Sequence, residues 1–167
     1  MQTKVPLAKQ ETDWLAIIPR ILLMAVLCLL VYRFDHRLFV FYGLFLYLAI
    51  TIPLKRLLLP ASLYESVKLI KQENFEDAIP FIQEDVDYFT KKAWIDKFRF
   101  LLMISSSKRT FREMSLCNMA YCLLQIGNVK ESKALYEEIL IQYPENIIAK
   151  AGLNNINIIS SHIIKAN

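Results

Sequence analysis

Glycine is scarce in this chain, with three among 167 residues, and only six prolines join it. So little turn-forming material disfavours hairpin-linked strands and leaves long helices as the expected architecture. The same scarcity leaves nothing from which to build a phosphate-cradling loop, and neither GxGxxG nor GxxxxGK[ST] occurs. HExxH and GxSxG are missing as well. Two histidines, His36 and His162, and three cysteines without CxxC spacing supply too few ligands for a structural metal. Cys117 and Cys122 stand five apart in a helical pattern, well separated around the helix, and read as reduced, buried thiols. His36 has Asp35 beside it but no nucleophile, which reads as a solvated polar turn. The chain is therefore expected to hold no cofactor and no metal, and to be no enzyme.

Apolar residues, by contrast, make up 55% of the chain. Residues 14–32 contain one charge, Arg20, and residues 38–54 contain none. As helices they would span roughly 28 and 25 Å, the short end of what a hydrocarbon core of about 30 Å needs. Neither has the polar face of a soluble core helix, so both are expected to enter lipid. The connector 33–37 is brief enough to force an antiparallel hairpin, expected to be transmembrane, with a hairpin that dips in and returns without crossing as the alternative for such short segments; residues 1–56 are in either case a membrane anchor. No small-residue cleavage site follows the first segment, and a second apolar stretch comes directly after it, so cleavage as a secretory signal is not expected. Arg20 lies close enough to one end to snorkel beside Trp14. Basic residues on the terminal side are Lys4, Lys9, Arg20, Lys55 and Arg56, against Arg33 and Arg37 in the turn. That bias places both termini in the cytoplasm, with the chain integral to a membrane of the bacterial cytoplasmic type. The net charge of +4 is explained by such flanks, and no aromatic-studded basic groove argues for nucleic acid.

From residue 57 onward the apolar residues follow a helical period. Helices are expected over 61–72, 75–89, 93–104, 110–126, 129–142 and 145–160. Residues 70–78 can be set over 124–132: an apolar residue, then Asn74 over Asn128, an acid three later, and Ala78 over Ser132. Two helical hairpins with the same turn are implied, with Asn74 and Asn128 as caps and Asp77 and Glu131 reaching back.

The second copy, residues 113–144, resembles a tetratricopeptide repeat (TPR). Its landmark positions are filled by Leu116, Met119, Ala120, Leu123, Gly127, Ser132, Tyr136, Ile139, Leu140 and Pro144. The resemblance departs at Leu123, where an aromatic is commoner, and at Ser132 and Ile139, where alanine is commoner. The first copy keeps Ser66, Leu69, Ala78, Ile82 and Val86, with Glu73 in place of the turn glycine and Thr90 in place of the closing proline. Its Pro80 is expected to kink the helix. Between the copies lies an extra helix around Trp94. The expected fold is thus all-α, a two-helix transmembrane hairpin followed by an irregular TPR-like helical stack. Ala120 and Ser132 are expected to touch between paired helices, Gly127 to be left-handed, and Tyr136 to be partly buried with its hydroxyl reaching solvent or a polar neighbour.

Charge is unevenly placed. Glu73, Glu76, Asp77, Glu84, Asp85 and Asp87 fall in one segment; Lys91, Lys92, Lys97, Arg99, Lys108, Arg109 and Arg112 fall in the next. Mutual solvation of neighbouring helix faces explains the pattern, and the basic set is a candidate interaction surface for anionic lipid or an acidic partner. The resemblance implies protein or peptide binding on a concave face, so the expected function is a membrane-anchored adaptor with a protein or peptide partner. The competing expectation is an accessory or assembly subunit of a larger membrane complex.

Overall fold

In the computed structural model of the chain, residues 17–34, 36–99 and 108–166 are described. Eight α-helices and no strand make up this part: α1 Ile18–Tyr32, α2 Phe39–Leu58, α3 Ala61–Lys71, α4 Phe75–Lys91, α5 Ala93–Lys97, α6 Phe111–Gln125, α7 Val129–Gln142 and α8 Ile147–Ala166. They fall into two units. One comprises Ala61–Lys91 with the chain from Phe111 onward, and the other the described residues of Gln10–Pro60 and Lys92–Thr110.

In the first unit each helix packs on the next in a stack of α3, α4, α6, α7 and α8. The α3/α4 and α6/α7 turns have the same backbone hydrogen bonds. At the first, the Asn74 N–H donates to Leu69 O (3.0 Å) and the Glu73 N–H to Ile70 O (3.1 Å). At the second, the Asn128 N–H donates to Leu123 O (2.9 Å) and the Gly127 N–H to Leu124 O (3.2 Å). This is a helix C-terminus closed by one left-handed residue, which satisfies carbonyls the helix itself leaves open. The left-handed residues are Gly127 at φ 84° and Glu73 at φ 60°. Glycine adopts that conformation without steric cost, and glutamate does not.

The asparagines do not cap as the sequence suggests. Asn128 makes no side-chain cap bond, and the Asn74 amide donates instead to the Asp77 carboxylate at 2.7 Å. Their backbone carbonyls accept the first helical bonds, from Ala78 and Ser132. The helix α4 continues through Pro80, which lies early in it and exposed.

The core of this unit runs along the stack. Ala120 and Ser132 are fully buried, and the Ser132 hydroxyl donates to Ala120 O at 2.7 Å, so two small residues bring α6 and α7 together. Tyr136 is 0% exposed and clusters with Leu116, Cys117, Ala120 and Ile139. Its ring lies against Gly152 of α8, where an added Cβ would stand 2.5 Å from Cζ. Its hydroxyl is buried without a hydrogen-bond partner among the described residues, contrary to the expectation of a wet or paired tip. Asn146 is buried at the start of α8: its Oδ1 accepts from the Ala149 N–H (2.8 Å), and its amide donates to Glu113 Oε1 (2.8 Å) and Cys117 Sγ (3.2 Å). One side chain thus caps α8 and ties it to α6.

In the second unit α1 and α2 pack antiparallel. Tyr32 meets Phe39 edge-on at 5.2 Å between ring centroids, and Gly43 lies against Cys28, where a Cβ would come within 2.5 Å of the sulfur. Among the described residues, α2 alone is both long and apolar enough to cross a membrane. The helix α1 has 15 residues, and its apolar part, Ile21–Tyr32, is shorter still. At 1.5 Å per residue, α1 reaches roughly 22 Å, less than the core of a bilayer. Two full-length spans are therefore not found among the described residues, outside which residues 14–16 of the expected first span lie. The expected helix 93–104 is interrupted, since α5 ends at Lys97, and residues 100–104 of it lie outside the described residues.

Candidate functional site

α3 and α6 both pack on α4, and between them runs a groove of about 650 Å³. Its walls are helical stripes. Leu63, Tyr64, Val67, Lys68, Lys71 and Gln72 come from one face of α3; Phe111, Met114, Ser115 and Asn118 come from one face of α6. Spacings of three and four residues put each set on a single face of its helix. The opposite edges of the same helices are buried: Ser62 and Ser66 of α3 face α4, and Leu116 and Ala120 of α6 lie in the core. Consequently the groove stripe is the surface the stack leaves open.

Its chemistry is apolar with a basic lip. The lining includes Lys68 and Lys71 and no carboxylate; Lys68 pairs with Glu65 at 2.9 Å, an exposed contact of small energetic consequence. Within the wall the Ser115 hydroxyl is buried and has no hydrogen-bond partner among the described residues. An unpaired buried hydroxyl is unfavourable by about 1 to 3 kcal/mol, a cost that a polar group entering the groove could offset. The lining pairs no nucleophile with a base.

Behind the groove, on the α3/α4 interface, the Asp85 carboxylate is 1% exposed and accepts hydrogen bonds from Ser62 (2.6 Å) and Ser66 (3.0 Å). Burial raises its pKa above the usual carboxylate value; the two hydroxyls pull it down and Glu84 adds a smaller upward push. Sequence reading grouped Asp85 with a solvated acidic face. The missed signal was two serines four apart on α3, opposite a single acid among Ile82, Val86 and Phe89 on α4. Cys122 is buried too, and burial pushes its thiol up to about 12, so it remains protonated and inert at neutral pH. Among the described residues no group of three His, Cys, Asp or Glu side chains could hold a metal.

The residues expected at the repeat contact fall as follows. Leu116, Ala120, Ser132 and Tyr136 meet in the α6/α7 core, Gly127 forms the turn, and Pro144 is exposed in the α7/α8 connection. The basic set does not form one solvated surface. Arg99 and Arg109 are each only 7% exposed, and Arg99 donates to Asp96 O (2.7 Å) and Lys108 O (3.1 Å). Arg112 bridges helices, donating to Thr90 of α4 (2.9 Å) and to Gln142 (2.6 Å) and Tyr143 (3.1 Å) at the end of α7. Lys91, Lys92, Lys97 and Lys108 remain on the outside. A planar guanidinium reaches several acceptors at once, and so the arginines became struts while the lysines stayed at the surface.

No family model, curated protein or solved structure matches the chain.

Proposed function

We propose that this chain is a membrane-anchored adaptor whose TPR-like stack holds a segment of a partner protein in the α3/α6 groove, at the cytoplasmic face of the membrane. The observation that carries the reading is the groove itself, an open apolar channel between two helices whose other faces are committed to the core. Its lysine lip without carboxylates suits a segment in which apolar side chains are flanked by acidic ones. The duplicated turn supports the repeat reading, because both hairpins close through the same hydrogen bonds.

Anchoring is assigned to the α1/α2 hairpin, with α2 spanning and α1 packed alongside it. Only 17% of the apolar window of α2 is buried within the protein, and Phe41, Phe45 and Ile52 point outward as do Leu22, Leu29 and Leu30 of α1. A soluble core helix would bury such side chains, and lipid is the solvent that stabilises them in the open. The excess of basic residues on the terminal side supports termini in the cytoplasm.

A photo-reactive benzoylphenylalanine replacing Tyr64, exposed in the groove, tests the binding reading in intact cells. It should give a discrete protein adduct that the same residue at the outward-facing Ile141 does not. The adduct should weaken when Lys68 and Lys71 are both replaced by Glu. Equal adducts from both positions would remove the groove as the binding site.

A further inference from the structure

The five-residue helix α5 presents an unusual surface for its size. Ile95 and Asp96 are buried, while Trp94 and Phe98 are each 49% exposed. They stand four apart, on one side of the turn closed by the Phe98 N–H to Trp94 O bond at 3.0 Å. Lys92 and Lys97 are exposed beside them, and the only carboxylate of the segment, Asp96, is turned inward. Large aromatics that stay half-exposed next to lysines have the composition found at the headgroup level of a bilayer, where the ring enters the acyl boundary and the ammonium remains with the phosphates. α5 also belongs to the same compact unit as α1 and α2.

We infer that α5 is a second, non-spanning membrane contact: Trp94 and Phe98 insert at the headgroup boundary of the leaflet from which the hairpin enters, and Lys92 and Lys97 meet its anionic lipids. This rests on the membrane-anchor reading given above. Its consequence is mechanical. A chain held by a hairpin alone could swing on the covalent link between α2 and α3, whereas a second lipid contact restrains the chain at both ends of the α3/α4 hairpin.

The test uses the full chain carrying Trp14→Phe, which leaves Trp94 as the only tryptophan. The protein is reconstituted into phosphatidylcholine vesicles with and without phosphatidylglycerol, with helical circular dichroism as the check on folding. Trp94 emission is expected to be blue-shifted from the aqueous position. It should lose most of its intensity to lipids brominated near the headgroup, less to lipids brominated deep in the chain, and little to aqueous iodide. Lys97→Glu should move the emission back toward the aqueous position in the anionic vesicles and leave the neutral ones unchanged. Full quenching by iodide in a vesicle-inserted protein would overturn the inference while leaving the anchor intact. Shielding from both quenchers would also overturn it, in favour of a protein contact. Failure of the chain to enter vesicles at all would sink the anchor reading itself.

Discussion

Gly152→Ala sets two known effects against each other at one position. Gly152 lies inside α8, where alanine is favoured over glycine by about 0.8 to 1.0 kcal/mol of helix propensity. Against this, an added methyl would stand 2.5, 2.6 and 2.9 Å from Cζ, Cε2 and Cε1 of Tyr136, all closer than real contacts allow. The Tyr136 ring is fully buried among Cys117, Ala120 and Ile139, so it cannot swing into solvent to make room. Overpacking of a filled core is destabilising by about 1 to 3 kcal/mol or more, and with three ring atoms under 3 Å the upper end applies. The expected net effect is a loss of about 1 to 2 kcal/mol, which for a chain of this size lowers Tm by about 2 to 4 °C per kcal/mol. Thermal melts followed by helical circular dichroism, on the full chain in detergent, read the shift. Repeating the substitution in a Tyr136→Leu background isolates the cause, because without the ring the propensity gain should return and the sign should reverse. A Tm that rises for Gly152→Ala in the parent chain would refute the packing of α8 on Tyr136.

Ala120→Leu should likewise destabilise by about 1 to 3 kcal/mol in the same melts, since the contact closed by Ser132 has no room for a larger side chain. Glu73→Gly should stabilise by about 0.5 to 1 kcal/mol by relieving its left-handed conformation, whereas Gly127→Val should destabilise through φ alone, because nothing lies within 4 Å of the added Cβ. The Asp85 carboxyl has a folded pKa raised above its unfolded value of 3.8, so its favourable contribution is present below that pH and lost as pH rises through the folded value. Asp85→Asn should therefore raise stability at neutral pH, give no gain in acid, and flatten denaturant-unfolding profiles between the two; an unchanged pH slope would remove the carboxylate as its source.

Local rules made much of this chain legible in advance. The hydrophobic period located five of the six helices expected after residue 57, because i to i+4 hydrogen bonding and side-chain periodicity both act within a few residues. The matching turns were visible in a nine-residue pattern for the same reason. Even the left-handed Gly127 followed from its place before Asn128. What local pattern could not decide was which partner a side chain would meet. Arg99 and Lys97 look alike in a basic run, yet one is a buried strut and the other lies outside.

Asp85 and Asp87 belong to one acidic segment, and only the approach of Ser62 and Ser66 from another helix decides that the first is buried. Gly152, unremarkable in sequence, is required by a ring sixteen positions away. The groove, too, exists only because α3 and α6 both pack on α4. Sequence by itself determined where helices form and how each hairpin turns, since those free energies are set by neighbours along the chain. Tertiary structure alone decided which stripe is core, which is strut and which is left open, because burial depends on surfaces that meet only after the chain has folded.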